Sequence, residues 1–383
     1  MRFPGKFTGC AFKKEMKYTT LTLLVFPVFL LQNCGGKDIS DALVPTTTIE
    51  IQKEFLLGGL PELQFETLDT INLEAKGIPP ISSVQDIAFS QNFFFLLDRK
   101  QGLLKFDYSG SFLRAIGEIG EGPMEYILPY AIYLEENENK VLVADWVKMV
   151  LISYDLDGKF ISSSRLPGRP ISLYNENDTL LVIQESIFGS NEKARNVLLS
   201  SYEPKTLEVI KHQKNPLYSY ISKFTLIHML PRVLGGRNES SLFYLPQTRQ
   251  KGLFEHKDTI YRKVEDHLVP EYLLHFTGFE NEEQIWVSYV EMFEGYACLV
   301  FLYEKQYYLV LLDLVNCIPL SILKNTTDTH LTAMKIQSLP RHLKGNMFYS
   351  ILGNEDGMEE KNPLIVFYRL VSPSIKGDRN SGK

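Results

Sequence analysis

From residue 48 onward the apolar positions fall in short runs, and little of the chain shows the 3.6-residue spacing of an amphipathic helix. The runs are rich in Phe, Leu, Val, Ile and Tyr, and turn-forming residues separate them, which predicts strands. Two consecutive units superpose. In the first, Phe93-Phe94-Phe95-Leu96-Leu97-Asp98 precedes Leu103-Leu104-Lys105-Phe106-Asp107-Tyr108-Ser109-Gly110. In the second, Val141-Leu142-Val143-Ala144-Asp145 precedes Leu151-Ile152-Ser153-Tyr154-Asp155-Leu156-Asp157-Gly158. Asp98 and Asp145 lie 47 positions apart, and Gly110 and Gly158 lie 48 apart. A third unit, residues 179–183 with 199–207, follows at nearly the same offset.

A period of about 40–50 residues with four short strands per unit is the pattern of β-propeller blades. Less regular units continue it. Residues 242–245, 258–262 and 272–276 make a fourth, and 284–289, 297–303, 307–312 and 318–323 make a fifth. Residues 334–337, 347–352 and 364–370 supply only three strands of a sixth. The missing strand is predicted at 65–73 (FETLDTINL), so that an N-terminal strand closes the last blade and removes an open sheet edge. The expected fold is all-β, a six-bladed β-propeller of four-stranded blades over residues 61–372, with a flexible tail at 373–383.

Residues 114–130, RAIGEIGEGPMEYILPY, form the densest turn signal in the chain. Gly117, Gly120 and Gly122 supply left-handed backbone angles, and Pro123 restricts Gly122 to extended geometry, so a shaped loop between two blades is predicted. The spacing is GxxGxG rather than GxGxxG, and Pro123 and Pro129 oppose the helix that a phosphate loop needs. The bland reading makes these glycines, Pro123 and a packed Tyr126 a connector. The functional reading has Glu125 and Tyr126 facing a ligand, because rim-to-axis connections reach the face where propellers bind. Asp98 and Asp145 recur after the second strand of their units, as expected of carboxylates that accept backbone N–H bonds in a turn.

The first 33 residues differ in kind. Residues 13–34, KKEMKYTTLTLLVFPVFLLQNC, pair a basic start with an apolar run that is too short and too broken by Pro27 to span a membrane comfortably. This predicts a signal peptide over 1–33, with Met16 as an attractive true start. The run ends in Leu31-Gln32-Asn33-Cys34-Gly35-Gly36, which resembles a lipobox of the looser Bacteroidetes type and implies lipidation at Cys34. An ordinary secretory signal is the alternative. Residues 34–60 are then a lipidated tether and lead-in.

The net charge of −6 includes five basic residues and one acid in those first 33 positions; without them 35 basic residues face 45 acidic ones, a net charge of −10. Such a surface repels phosphate backbones, so nucleic acid is not an expected partner. Four cysteines contain no CxxC and the seven histidines no HxxxH, so no zinc site is signalled. Cys298 and Cys317 sit in apolar runs and read as small buried hydrophobes, with a disulfide as the alternative. Trp146 and Trp286 read as blade-packing residues. No cofactor and no metal are predicted.

Specific residues resemble a family. Ile116-Gly117-Glu118-Ile119-Gly120-Glu121-Gly122-Pro123-Met124-Glu125-Tyr126 is similar to the IGxxGxGPGEY signature of six-bladed β-propeller lipoproteins of Bacteroides-type bacteria, with Met124 in place of a glycine. Asp258-Thr259-Ile260-Tyr261 resembles the DTIY segment of that family. Its Asn-Asp-x-Asp-Gly-Gly stretch is replaced here by Asn325-Thr326-Thr327-Asp328-Thr329-His330. The resemblance implies a propeller in the cell envelope, anchored to the outer membrane and either periplasmic or surface-exposed. The expected function is a non-enzymatic binding or scaffold lipoprotein for a protein, peptide or glycan. The alternative is a lactonase-like hydrolase or a lyase that uses a metal in the central channel.

Overall fold

A run such as 93–97 can be apolar at every position only if both faces of its sheet are covered. The computed structural model covers them with six sheets arranged as a six-bladed β-propeller. It describes residues 47–371 except 75, 82, 177, 187–193, 213–217, 222–233, 236–241, 245–257, 265–266, 281–284, 305, 325–339 and 353–361. The expected signal peptide at 1–33, Cys34, the stretch 325–330 and the expected tail at 373–383 lie outside the described residues.

Before the first blade come β1 (Thr47–Gln52), a short π-helical turn (Phe55–Gly59) and β2 (Gln64–Asn72). Blade one is β3 (Val84–Phe89), β4 (Phe93–Asp98), β5 (Gly102–Asp107) and β6 (Phe112–Ile116). Blade two is β7 (Pro129–Glu135), β8 (Lys140–Asp145), β9 (Val150–Asp155) and β10 (Phe160–Arg165). Blade three is β11 (Arg169–Glu176), β12 (Thr179–Ser186) and β13 (Ala194–Tyr202), whose far edge is shared by β14 (Val209–His212) and β15 (Tyr218–Ile221). Blade four is β16 (Leu234–Gly235), β17 (Leu242–Tyr244), β18 (Thr259–Val264) and β19 (His267–Thr277). Blade five is β20 (Trp286–Phe293), β21 (Tyr296–Tyr303), β22 (Gln306–Asp313) and β23 (Ile318–Lys324). Blade six is β24 (Arg341–Lys344), β25 (Met347–Leu352) and β26 (Leu364–Val371). First strands neighbour one another, β3 beside β7, β7 beside β11, β16 beside β20 and β20 beside β24, which puts them at the axis and the last strands at the rim.

The cores lie between blades. Phe94 and Leu96 pack with Tyr349, Ile351 and Ile365 of blade six, while Phe95 and Leu97 on the opposite face pack with Val141, Val143 and Ile152 of blade two. Blade two repeats the division: Leu142 and Ala144 face Leu180 and Val182 of blade three. Blades four and five share Ile260, Phe276, Leu299 and Phe301, and blades five and six share Val300, Leu309, Phe348 and Val366.

The ring closes as the sequence predicts. β2 pairs antiparallel along β26, from Gln64 opposite Val371 to Asn72 opposite Leu364. Asn362 clasps the junction: its Oδ1 accepts from Ile81 N at 2.8 Å and its Nδ2 donates to Leu73 O at 3.0 Å. One strand was not foreseen. Thr47–Gln52, inside the stretch read as lead-in, lies parallel to β19 as a fifth strand of blade four, with Ile49 and Ile51 fully buried. The chain then bonds β23 (Leu63 N to Ile322 O, 2.8 Å; Ile322 N to Pro61 O, 3.0 Å), forms β2, and reaches blade one (Glu74 N to Gly110 O, 2.7 Å). This N-terminal strap meets the rims of blades four, five, six and one in turn.

Because Phe95 joins two blades through one fully buried ring, Phe95→Ala should lower the unfolding free energy by about 3–5 kcal/mol. Urea titration followed by fluorescence checks this, and a loss below about 1 kcal/mol would contradict the two-faced core.

Candidate functional site

β4 and β8 both end on an aspartate, at the face where the chain crosses from one blade's rim to the next blade's axis. This is called the upper face here. Asp98 and Asp145 are fully buried, and their carboxylates make the same bonds. Asp98 Oδ1 accepts from Lys100 N (2.8 Å) and Gln101 N (2.9 Å), and its Oδ2 accepts from Ser83 N (2.8 Å). Asp145 Oδ1 accepts from Val147 N (2.8 Å) and Lys148 N (2.7 Å), and its Oδ2 accepts from Ile127 N (2.5 Å) and Leu128 N (3.2 Å). Each carboxylate thus joins the turn after its own strand to the segment that leads into the first strand of the same blade. Asp313, which the sequence reading passed over, caps the turn after β22 in the same way, accepting from Val315 N (2.9 Å) and Asn316 N (2.8 Å). All three turns end on a left-handed residue: Gly102 (φ 84°), Met149 (φ 52°) and Cys317 (φ 59°).

The glycine connection between blades one and two follows from four buried or half-buried side chains. Tyr126 is fully buried, donates to Ile116 O at 2.7 Å and accepts from Leu103 N at 3.0 Å. Burial pushes its phenol up to about 12, from an ordinary value near 10. It therefore faces the core between blades, and the ligand-facing expectation for Tyr126 is corrected. Glu125 turns back on its own loop, its Oε2 accepting from Gly122 N at 2.7 Å, so its carboxylate organises the loop instead of pointing away from it.

That carboxylate also explains two of the glycines. A Cβ on Gly120 would lie 2.1 Å from Glu125 Oε2, and one on Gly122 would lie 2.8 Å from the same atom. Of the three glycines only Gly117 is left-handed (φ 68°), and a Cβ there would meet the Tyr154 ring at 2.7 Å. The expectation of left-handed angles at Gly120 and Gly122 is therefore replaced by a demand for space. Pro123 is exposed at the corner of the loop.

Two more residues, neither signalled by the sequence alone, fasten the loop. Lys148 Nζ donates to Gly122 O at 2.5 Å and to Glu125 O at 2.8 Å, tying the loop to the turn after β8. Tyr154 donates to Met124 O at 2.6 Å. The backbone is fixed, yet Ile119, Met124, Ile127, Val147 and Met149 on these two tied segments remain exposed. Beside them Arg169, the first residue of β11, lies over the Trp146 ring at 4.1 Å. Near the same face the β3, β7, β11 and β20 pairings each slip by one residue, at 84–86, 129–131, 170–172 and 287–289. Bulges of this kind re-aim side chains at the mouth of a sheet.

At the far end of the inner strands Tyr133 donates to Glu135 Oε2 and accepts from Asn175 Nδ2, both at 2.8 Å, and Lys263 pairs with Glu176 across blades three and four. Burial pushes the Tyr133 hydroxyl well up. Among the described residues no group of three or more His, Cys, Asp or Glu side chains is placed to hold a metal ion. Cys298 is buried and Cys317 half-buried, and both are free thiols, each pushed up chiefly by burial. Among the described residues no helix is long and apolar enough to cross a membrane.

Three measurements follow from this geometry. Since the phenol of Tyr126 is held at about 12 in the folded state, stability is intact below pH 10 and falls as pH rises from 10 to 12; Tyr126→Phe should remove that late-titrating group from the absorbance curve at 295 nm. Gly102→Ala combines left-handed strain with a Cβ 2.4 Å from the Tyr126 oxygen, and should cost more than about 2 kcal/mol by urea unfolding. Met149→Gly relieves the same strain at an exposed side chain and should gain about 0.5–1 kcal/mol.

Among solved structures, a Bacteroides fragilis protein designated as exported aligns with a TM-score of 0.57 and 17% identity, over 85% of this chain and 100% of that one. A Bacteroides vulgatus member of the DUF4221 family aligns with a TM-score of 0.51 and 12% identity, over 82% of this chain and 99% of that one. At such identities the likeness is one of fold. No curated protein matches the sequence. Residues 59–362, running from the strap to the clasp at Asn362, match the profile of a domain of unknown function, DUF4934, and the chain belongs to that family.

Proposed function

We propose that this protein is an exported envelope lipoprotein that works by binding, presenting the upper face of blades one and two to a protein or peptide partner. One observation carries the reading. The loop 117–126 is immobilised from beneath by Tyr126 and from the side by Lys148, while five apolar side chains on the tied segments stay in solvent. Exposed apolar groups on a backbone already fixed in place lose little entropy on binding. The envelope location is supported by the signal-like segment ending at Cys34 and agrees with the exported designation of the Bacteroides fragilis relative.

Two experiments test it. Cys34→Ala should abolish lipid labelling and release the protein from the membrane fraction; unchanged membrane retention would refute the anchor. A photo-crosslinking residue at Met124 or Val147, expressed in the native cell, should give a discrete adduct that the same residue at Ile161 on the rim of blade two does not. Equal adducts from both places would refute the choice of face.

A further inference from the structure

Trp146 follows Asp145, whose carboxylate fixes the surrounding turn through four backbone bonds, so the indole is a rigid platform, only 6% exposed. Arg169 is half-buried and enters from blade three, its guanidinium 4.1 Å from the ring centroid. A guanidinium held by its face keeps its N–H edge available, which suits bidentate capture of a carboxylate.

Both donors lack an acceptor. The indole Nε1 is buried without a hydrogen-bond partner. No carboxylate among the described residues pairs with Arg169. Other half-buried cations among the described residues meet a carboxylate, as Arg262 with Glu271 at 2.7 Å and Lys263 with Glu176, or a backbone carbonyl, as Lys148 and Lys105.

We propose that Arg169, held on Trp146, binds the terminal carboxylate of an extended peptide, and that Val147 and Met149 in the same turn receive the peptide's apolar side chains. This rests on the reading of the upper face as a binding surface and names the chemistry it takes. An acidic sugar also carries a carboxylate, but its ring hydroxyls need polar partners, and Val147 and Met149, the exposed side chains of the Trp146 turn, offer none.

The test uses the purified mature protein on an array of random apolar peptides, each with a free C-terminus or as its amide. Free peptides should bind about tenfold or more tightly than their amides. Arg169→Gln should erase that preference, with its melting temperature showing the ring intact. Trp146→Phe keeps a ring under the guanidinium and should weaken the preference less than Arg169→Gln does. Binding should fall as salt rises. Equal binding of acid and amide, a preference that survives Arg169→Gln, absence of any peptide signal, or Arg169-dependent binding of oligogalacturonate without peptide binding would each overturn the proposal. Equal binding that Val147→Glu abolishes would overturn the carboxylate site while leaving the face reading standing. Peptide binding indifferent to both Val147→Glu and Met124→Glu would overturn the face reading itself.

Discussion

A sheet with apolar side chains on both faces is stable only between two others. Phe94 and Phe95, adjacent in sequence, are each fully buried because they serve different neighbours, and the same holds for Leu142 and Val143. A row of such sheets would always leave an uncovered face at each end, and curling the row into a ring removes both ends. The strap, the clasp at Asn362 and the shared last blade all serve this one requirement.

The upper face solves a different problem, that of keeping long connections in one conformation. Buried carboxylates at Asp98 and Asp145 each gather backbone donors from two separate segments, so that turn and connection hold each other. Between them Tyr126 bonds blade one at Leu103 and Ile116 while lying in the core shared with blade two. Of the loop's three acidic residues, Glu125 is used internally, while Glu118 and Glu121 are exposed. The side chains that the fastening leaves in solvent include five apolar ones and the acidic Glu118 and Glu121, with an arginine from blade three beside them.

The repeat was legible because burial on both faces leaves uninterrupted apolar runs at a steady interval, the first two ending at a turn-forming aspartate. The closing strand was legible by subtraction, since the sixth unit lacked one. Other features depend on partners far away in sequence. Thr47–Gln52 has an alternating pattern, but its place is decided by β19, more than two hundred positions later. Gly120 and Gly122 have ordinary backbone angles, and their need for space appears only once the Glu125 carboxylate is located. Trp146 was read as a packing residue, and it does pack, yet its meeting with Arg169 joins a turn in one blade to a strand start in the next.

The strap has a consequence for how the chain reaches its folded state. Ile81 and Asn362, joined by one hydrogen bond, are 281 positions apart, and the pairing of β2 with β26 spans a similar distance. Contacts of such separation form slowly, because the loop between them must be closed before any of them is made. β2 therefore stays without its sheet partner until nearly all of the chain has been synthesised, and the ring cannot lock early. A strand made early is thus among the last to be fixed.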